Sequence, residues 1–104
     1  RVPQSGLAAG ALKVRRMDDI KSRYYIRVSA LDKPGVLAKI AGILGENNIS
    51  IASVHQKEER REGSVPVVMV THSALESDMK KALATIGRMP AINKKPVAIR
   101  MESL

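Results

Sequence analysis

The 104-residue chain contains no cysteine, no phenylalanine and no tryptophan, and only two tyrosines. Without cysteine there are no disulfides, thiolate metal ligands or thiol nucleophiles, and the composition fits a reducing compartment, which points to the cytoplasm. Without Phe or Trp the core must be built from Val, Ile, Leu, Met and Ala; hydrophobic residues still make up 44% of the chain, a normal share for a folded domain. No apolar run approaches the roughly 20 residues of a membrane-spanning helix, and the opening Arg1-Val2-Pro3-Gln4 is not a secretory leader. No membrane partner is expected. The first residue is Arg, so the sequence reads as a piece of a longer protein, long enough for one compact domain.

The net charge is +8, which raises the question of nucleic acid. Its distribution argues against that partner: residues 1 to 23 and residues 24 to 104 each carry +4, and no five basic residues stand together. The densest cluster, Lys57-Glu58-Glu59-Arg60-Arg61-Glu62, is internally balanced and reads as a solvated hairpin tip.

Residues 1 to 23 show no sustained period and read as a connector; residues 24 to 104 form the domain. From Tyr24 to Leu31 the chain alternates, with Ile26, Val28 and Ala30 on one face and Tyr25, Arg27 and Ser29 on the other, as a half-buried strand requires. Asp32-Lys33-Pro34-Gly35 breaks this period. Leu37, Ile40, Ala41 and Leu44 then recur at helical spacing, with Asp32 as the expected cap and Asn47-Asn48 as the stop.

A second strand is expected over residues 49 to 58, with a bulge or an edge near Ala52, where the apolar positions change face. A third, Val65 to Thr71, carries Pro66 near its start. Ser73-Ala74-Leu75-Glu76 has the form of a capping box, and Leu75, Met79, Ala82, Leu83 and Ile86 make the apolar stripe of a second helix ending around Arg88-Met89-Pro90. Val97, Ile99 and Met101 alternate with Ala98 and Arg100 in a fourth strand.

This order predicts an α+β fold, the ferredoxin-like βαββαβ sandwich: a four-stranded antiparallel sheet with two helices on one face. The other face, which includes Tyr25 and Leu31, stays bare unless covered, so pairing with a second copy is expected.

Several chemistries fall away. RNA-reading modules of the same element order stack bases on aromatic side chains in their central strands, whereas this sequence has no Phe or Trp and its Tyr24-Tyr25 pair sits at the start of the first strand. Metal chaperones of this shape need thiolates, which are absent. His55 and His72 lie on different strands with no carboxylate pair suited to a metal, and read as surface or partly buried polar residues. Ser73 has a structural role as a cap and need not be a nucleophile. No G-x-G-x-x-G dinucleotide cradle is present, so no catalytic residue and no cofactor or metal site is assigned.

The turn Asp32-Lys33-Pro34-Gly35-Val36-Leu37 remains. Amides at a helix start lack partners and the helix dipole adds positive charge, so Gly35, Val36 and Leu37 suit a small carboxylate while Asp32 suits an ammonium group. Spacing alone favours the plainer reading, in which Asp32 caps the helix and Pro34 and Gly35 only shape the turn.

The segment Leu31-Asp32-Lys33-Pro34-Gly35-Val36-Leu37-Ala38-Lys39-Ile40-Ala41-Gly42-Ile43-Leu44, followed by Asn47-Asn48-Ile49-Ser50-Ile51, resembles the signature of the ACT domain. The resemblance spans about residues 24 to 101 and implies an amino-acid site made by the turn and the start of the second strand, usually where two copies meet. On that basis Gly35, Val36 and Leu37 would take the ligand carboxylate, Asp32 and Ser50 would contact its amino group or side chain, and Asn48 and Ile49 would line the pocket. Some relatives carry Asn in place of Asp32 and Ser50 and His in place of Ala30.

Three further segments are similar to the carboxyl-terminal part of bacterial homoserine dehydrogenases: Met17-Asp18-Asp19-Ile20-Lys21-Ser22-Arg23-Tyr24-Tyr25-Ile26-Arg27, Ser53-Val54-His55-Gln56-Lys57 and Val65-Pro66-Val67-Val68-Met69-Val70-Thr71-His72. That similarity implies a regulatory domain whose NAD(P)-dependent catalytic domains precede it, with threonine as the inhibitory effector and a homodimer or larger homo-oligomer as the assembly. The alternative is a dimerising scaffold that has lost its ligand.

Overall fold

A computed structural model describes residues 20–57 and 63–101. The connector up to residue 19, the hairpin tip at residues 58–62 and the last three residues lie outside them.

The described elements are β1 (Lys21–Leu31), α1 (Val36–Glu46), β2 (Ile51–Gln56), β3 (Ser64–Thr71), β4 (Ala74–Leu75), α2 (Glu76–Gly87) and β5 (Val97–Met101). All strand pairings are antiparallel: β3 lies between β2 and β1, and β5 pairs with β1 through Tyr25↔Ile99 and its neighbours. β1 begins at Lys21, three residues before the alternation starts. The predicted faces are observed, since Tyr24, Ile26, Val28 and Ala30 are buried.

These side chains meet Val65, Val67 and Met69 of β3, Ile40 and Leu44 of α1 and Met79, Ala82 and Ile86 of α2 in one core. It is aliphatic but for Tyr24, as the composition requires. No helix of the described residues is long and apolar enough to cross a membrane.

Both predicted features of β2 are present. Its register to β3 shifts between Ile51 and Ser53, which puts the bulge at Ala52, and the strand stands at the edge of the sheet. α1 ends as its asparagines dictate: Asn48 takes φ 62°, its amide donates to the Gly45 carbonyl at 3.0 Å, and the Ile49 amide donates to that of Leu44 at 2.9 Å. This is a Schellman closure with asparagine in the left-handed position.

Two capping expectations are overturned. α1 is preceded by Gly35 at φ 86°, ψ −13°, with no side-chain cap. Pro34 and Gly35 instead form the centre of a type II turn, closed by the Val36 amide on the Lys33 carbonyl at 3.4 Å. That turn leads directly into the helix and leaves Asp32 too far upstream to cap it.

At α2 the residue before the helix is Leu75, also without a side-chain cap. Ala74 and Leu75 are taken up as β4, pairing with Ser22 and Lys21, which adds a short fifth strand. Glu76 thereby becomes the first helical residue, not the third, and cannot reach back to Ser73 as a capping box requires.

Candidate functional site

The turn after β1 is fastened on both sides. The Asp32 amide donates to the Gly63 carbonyl at 3.1 Å, the Leu31 amide to Ala91 at 2.9 Å, and the Lys33 amide to Leu31 at 2.9 Å. A small cavity of about 60 Å³ lies beneath the turn, lined by Asp32, Lys33, Val36 and Leu37, by Ala30 and Val65 from the sheet, and by Gln56 at the end of β2. On the turn's other side a broad open groove of about 620 Å³ runs between Gly35, Val36 and Lys39 and the Met89-Pro90-Ala91 loop.

The amide inventory narrows the sequence expectation. Val36 spends its N–H inside the type II turn, whereas among the described residues no backbone acceptor meets the amides of Gly35 and Leu37. Of the three predicted donors, those two, at the positive end of an 11-residue helix, are the ones left available to an anion. Asp32 is exposed at the cavity mouth. The first four predicted site residues, Asp32, Gly35, Val36 and Leu37, are therefore brought together.

Asn48, Ile49 and Ser50 are not among them. They follow the far end of α1, which at 11 residues is about 16 Å long. Ile49 is buried in the core and its amide is held by Leu44. Asn48 and Ser50 are exposed, and the Ser50 carbonyl accepts the His72 amide at 2.9 Å. His55 and His72 are both exposed. No cluster of metal-ligating groups is found among the described residues.

One polar constellation was missed from sequence. Arg100, on the inner face of β5, donates from Nη2 to Glu76 Oε1 at 2.5 Å, and Lys80 Nζ stands 3.9 Å from Glu76 Oε2. The Tyr24 hydroxyl is buried beside this pair without a hydrogen-bond partner of good geometry. Burial, and then the neighbouring Glu76 charge, raise the Tyr24 pKa above that of an ordinary phenol. Its hydrogen bond to Glu76 likewise raises the pKa of Arg100. The available signal was Arg100 itself: an arginine in phase with the inward Ala98 needs a carboxylate nearby.

A sheet backed by two helices, with a D-x-P-G-V-L turn opening the first of them, defines a class of small regulatory domain. A family model described as "ACT domain" matches residues 24–90, and the chain belongs to the ACT domain family. Among its relatives, the homoserine dehydrogenase of Methylobacillus glycogenes is 42% identical over 94 residues, covering 89% of this chain and 23% of that protein. That of Pseudomonas aeruginosa is 38% identical over 108 residues, covering 100% of this chain and 25% of that protein. The chain thus spans about a quarter of the length of these relatives and matches only their C-terminal part.

The crystal structure of a homoserine dehydrogenase from Thiobacillus denitrificans superposes with a TM-score of 0.77 at 36% identity, covering 86% of this chain and 20% of that one. The ACT domain of a GTP pyrophosphokinase from Chlorobium tepidum shares the fold at a TM-score of 0.58 and 12% identity, covering 79% of this chain and 100% of that one.

Proposed function

We propose that this chain is the regulatory domain of a homoserine dehydrogenase, and that it binds threonine where two copies meet. Binding there controls NAD(P)-dependent interconversion of homoserine and aspartate semialdehyde in the preceding catalytic domains. The observation that carries the reading is the placement of the site residues at opposite ends of α1 together with the free edge at β2.

Consider two β2 edges paired antiparallel about a two-fold axis. The start of one strand, at Ser50 and Ile51, then lies opposite the end of the other, at Gln56, and Gln56 lines the cavity beneath the turn. Such pairing joins Asp32, Gly35, Val36 and Leu37 of one copy to Asn48 and Ser50 of its partner, and does so twice. The cavity of one copy, about 60 Å³, holds roughly two waters at liquid density, too little for threonine, so a second copy supplies the missing walls. In this arrangement the free amides of Gly35 and Leu37 take the carboxylate, and Asp32 with the partner's Ser50 takes the ammonium and side-chain hydroxyl. Ile49 shapes the pocket only from behind, since its side chain is in the core.

Titration calorimetry with threonine, isoleucine, methionine, serine and lysine tests the proposal. Threonine is expected to release heat with up to two molecules bound per dimer, and Asp32→Ala to abolish that heat while leaving the dimer intact. A folded dimer that binds none of the five amino acids overturns ligand sensing and favours the ligand-free scaffold.

A further inference from the structure

The outer face of the sheet, turned away from both helices, carries more apolar surface than a solvent face needs. β5 directs Val97, Ile99 and Met101 outward, at 51%, 56% and 39% exposure. The register extends the row inward, because Ile99 lies opposite Tyr25 and Tyr25 opposite Val70. Single exposed hydrophobics are ordinary, but three on one five-residue strand, continued across two neighbours, form a contiguous patch of the kind that marks an interaction surface. Two cations stand within it, Arg23 opposite Met101 and Arg27 opposite Val97.

We propose that this face docks onto the part of the same polypeptide that precedes the domain, against an apolar surface that presents carboxylates to Arg23 and Arg27. Three observations select that occupant. First, β1 begins at Lys21, two residues before the Arg23↔Met101 pair, so the preceding chain emerges at one end of the exposed row. Second, the relatives continue for about three quarters of their length on that side, which provides a large body tethered at high effective concentration. Third, charge disfavours a second copy: two such faces packed together would bring the arginines of both into one interface, whereas a carboxylate-bearing partner neutralises them. Pairing through the β2 edge leaves this face uncovered, so the two contacts are compatible.

The absence of cysteine from the sequence makes Ile99→Cys the only thiol of this domain and a direct probe. Its maleimide labelling rate is measured by peptide mass spectrometry in the 104-residue chain and in the full-length polypeptide, each normalised to the same residue in denaturant. Labelling is expected to be at least tenfold slower in the full-length polypeptide, and Arg27→Glu there is expected to restore most of the lost reactivity. Equal rates in the two proteins overturn the proposal. So does protection of the shorter chain that grows with its own concentration, which would assign the face to a second copy. Protection that survives Arg27→Glu removes the carboxylate-bearing partner. Circular dichroism checks the fold of each variant, and Val97→Cys repeats the measurement at the neighbouring outward position.

Discussion

Gly35 and Gly42 are both glycines of the first helical region, yet their substitutions should have opposite signs. A Cβ on either would meet nothing within 4 Å, so space does not distinguish them. Gly35 holds φ 86° at the third position of a type II turn, where alanine is strained by about 1 kcal/mol. Gly42 lies within α1, where alanine gains about 0.5–1 kcal/mol through helix propensity. Urea denaturation should therefore show Gly35→Ala destabilised and Gly42→Ala stabilised. Tyr24 makes a second residue-scale case. Its hydroxyl is buried without a good partner, so Tyr24→Phe removes an unsatisfied polar group and should be neutral or stabilising near neutral pH. The raised pKa of Tyr24 means that above the ordinary phenol range the folded protein retains a proton that the unfolded chain releases. Stability then falls as pH climbs through the folded pKa, and Tyr24→Phe should lose less than the wild type between neutral and strongly alkaline pH. The backbone chemistry at Pro34-Gly35 and Asn48 was legible from sequence because a turn or a helix stop depends on a few adjacent residues. The meeting of Tyr24, Glu76 and Arg100 was not, because three distant positions converge only once the sheet and α2 have packed.

At the scale of elements, strand and helix periods were readable where one face is buried, and the errors fell at helix starts. Ser73-Ala74-Leu75-Glu76 satisfies the capping-box pattern, but the pattern does not register that Ile20 and Lys21 compete for the same backbone. In the structure Lys21 pairs with Leu75, and the Glu76 amide donates to the Ile20 carbonyl at 3.3 Å. That tertiary pairing displaces the local cap, and the Glu76 side chain turns to Arg100 and Lys80. The two arrangements predict different mutants. If Ser73 capped α2, Ser73→Ala would cost about 1 kcal/mol; with β4 in its place the change should fall within about 0.5 kcal/mol, as at an ordinary surface position. Glu76→Gln should cost more than Ser73→Ala, because it leaves Arg100 on the inner face of β5 without its carboxylate. Chemical denaturation of the two variants side by side decides the order. The alternation of β5 was likewise read in phase, and the structure adds which side is covered: Ala98 and Arg100 face the helices, and the larger Val97, Ile99 and Met101 face outward. Period fixes which residues share a face; it does not say which face a partner outside the domain will cover.

For the whole molecule, the sheet has one edge at β2, and its side chains are nearly all exposed: Ile51 is half-buried and the five residues after it are exposed. An edge with unpaired backbone groups templates another strand unless a charge, a proline or a covering segment blocks it, and the described residues of β2 supply neither charge nor proline. Val54, 42% exposed near the middle of the strand, is the position at which to introduce the block. In antiparallel pairing about a two-fold axis through this region, the two Val54 side chains approach each other, so Val54→Lys opposes two like charges across the new junction. Sedimentation equilibrium should show the dimer weakened by at least tenfold at low salt and partly restored at high salt, where the repulsion is screened. Monomer stability should change little, because Val54 lies outside the core. The consequence for ligand binding separates the two proposed contacts. On the proposed function threonine would stabilise the paired state by mass action, so Val54→Lys should remove any such stabilising effect on thermal unfolding at concentrations that saturate the wild type. The labelling of Ile99→Cys in the full-length polypeptide should stay as it is, since that face does not depend on β2. A Val54→Lys protein that still dimerises and still responds to threonine would move the pairing surface away from β2, and with it the reason for joining Asn48 and Ser50 of one copy to the Asp32–Leu37 turn of the other.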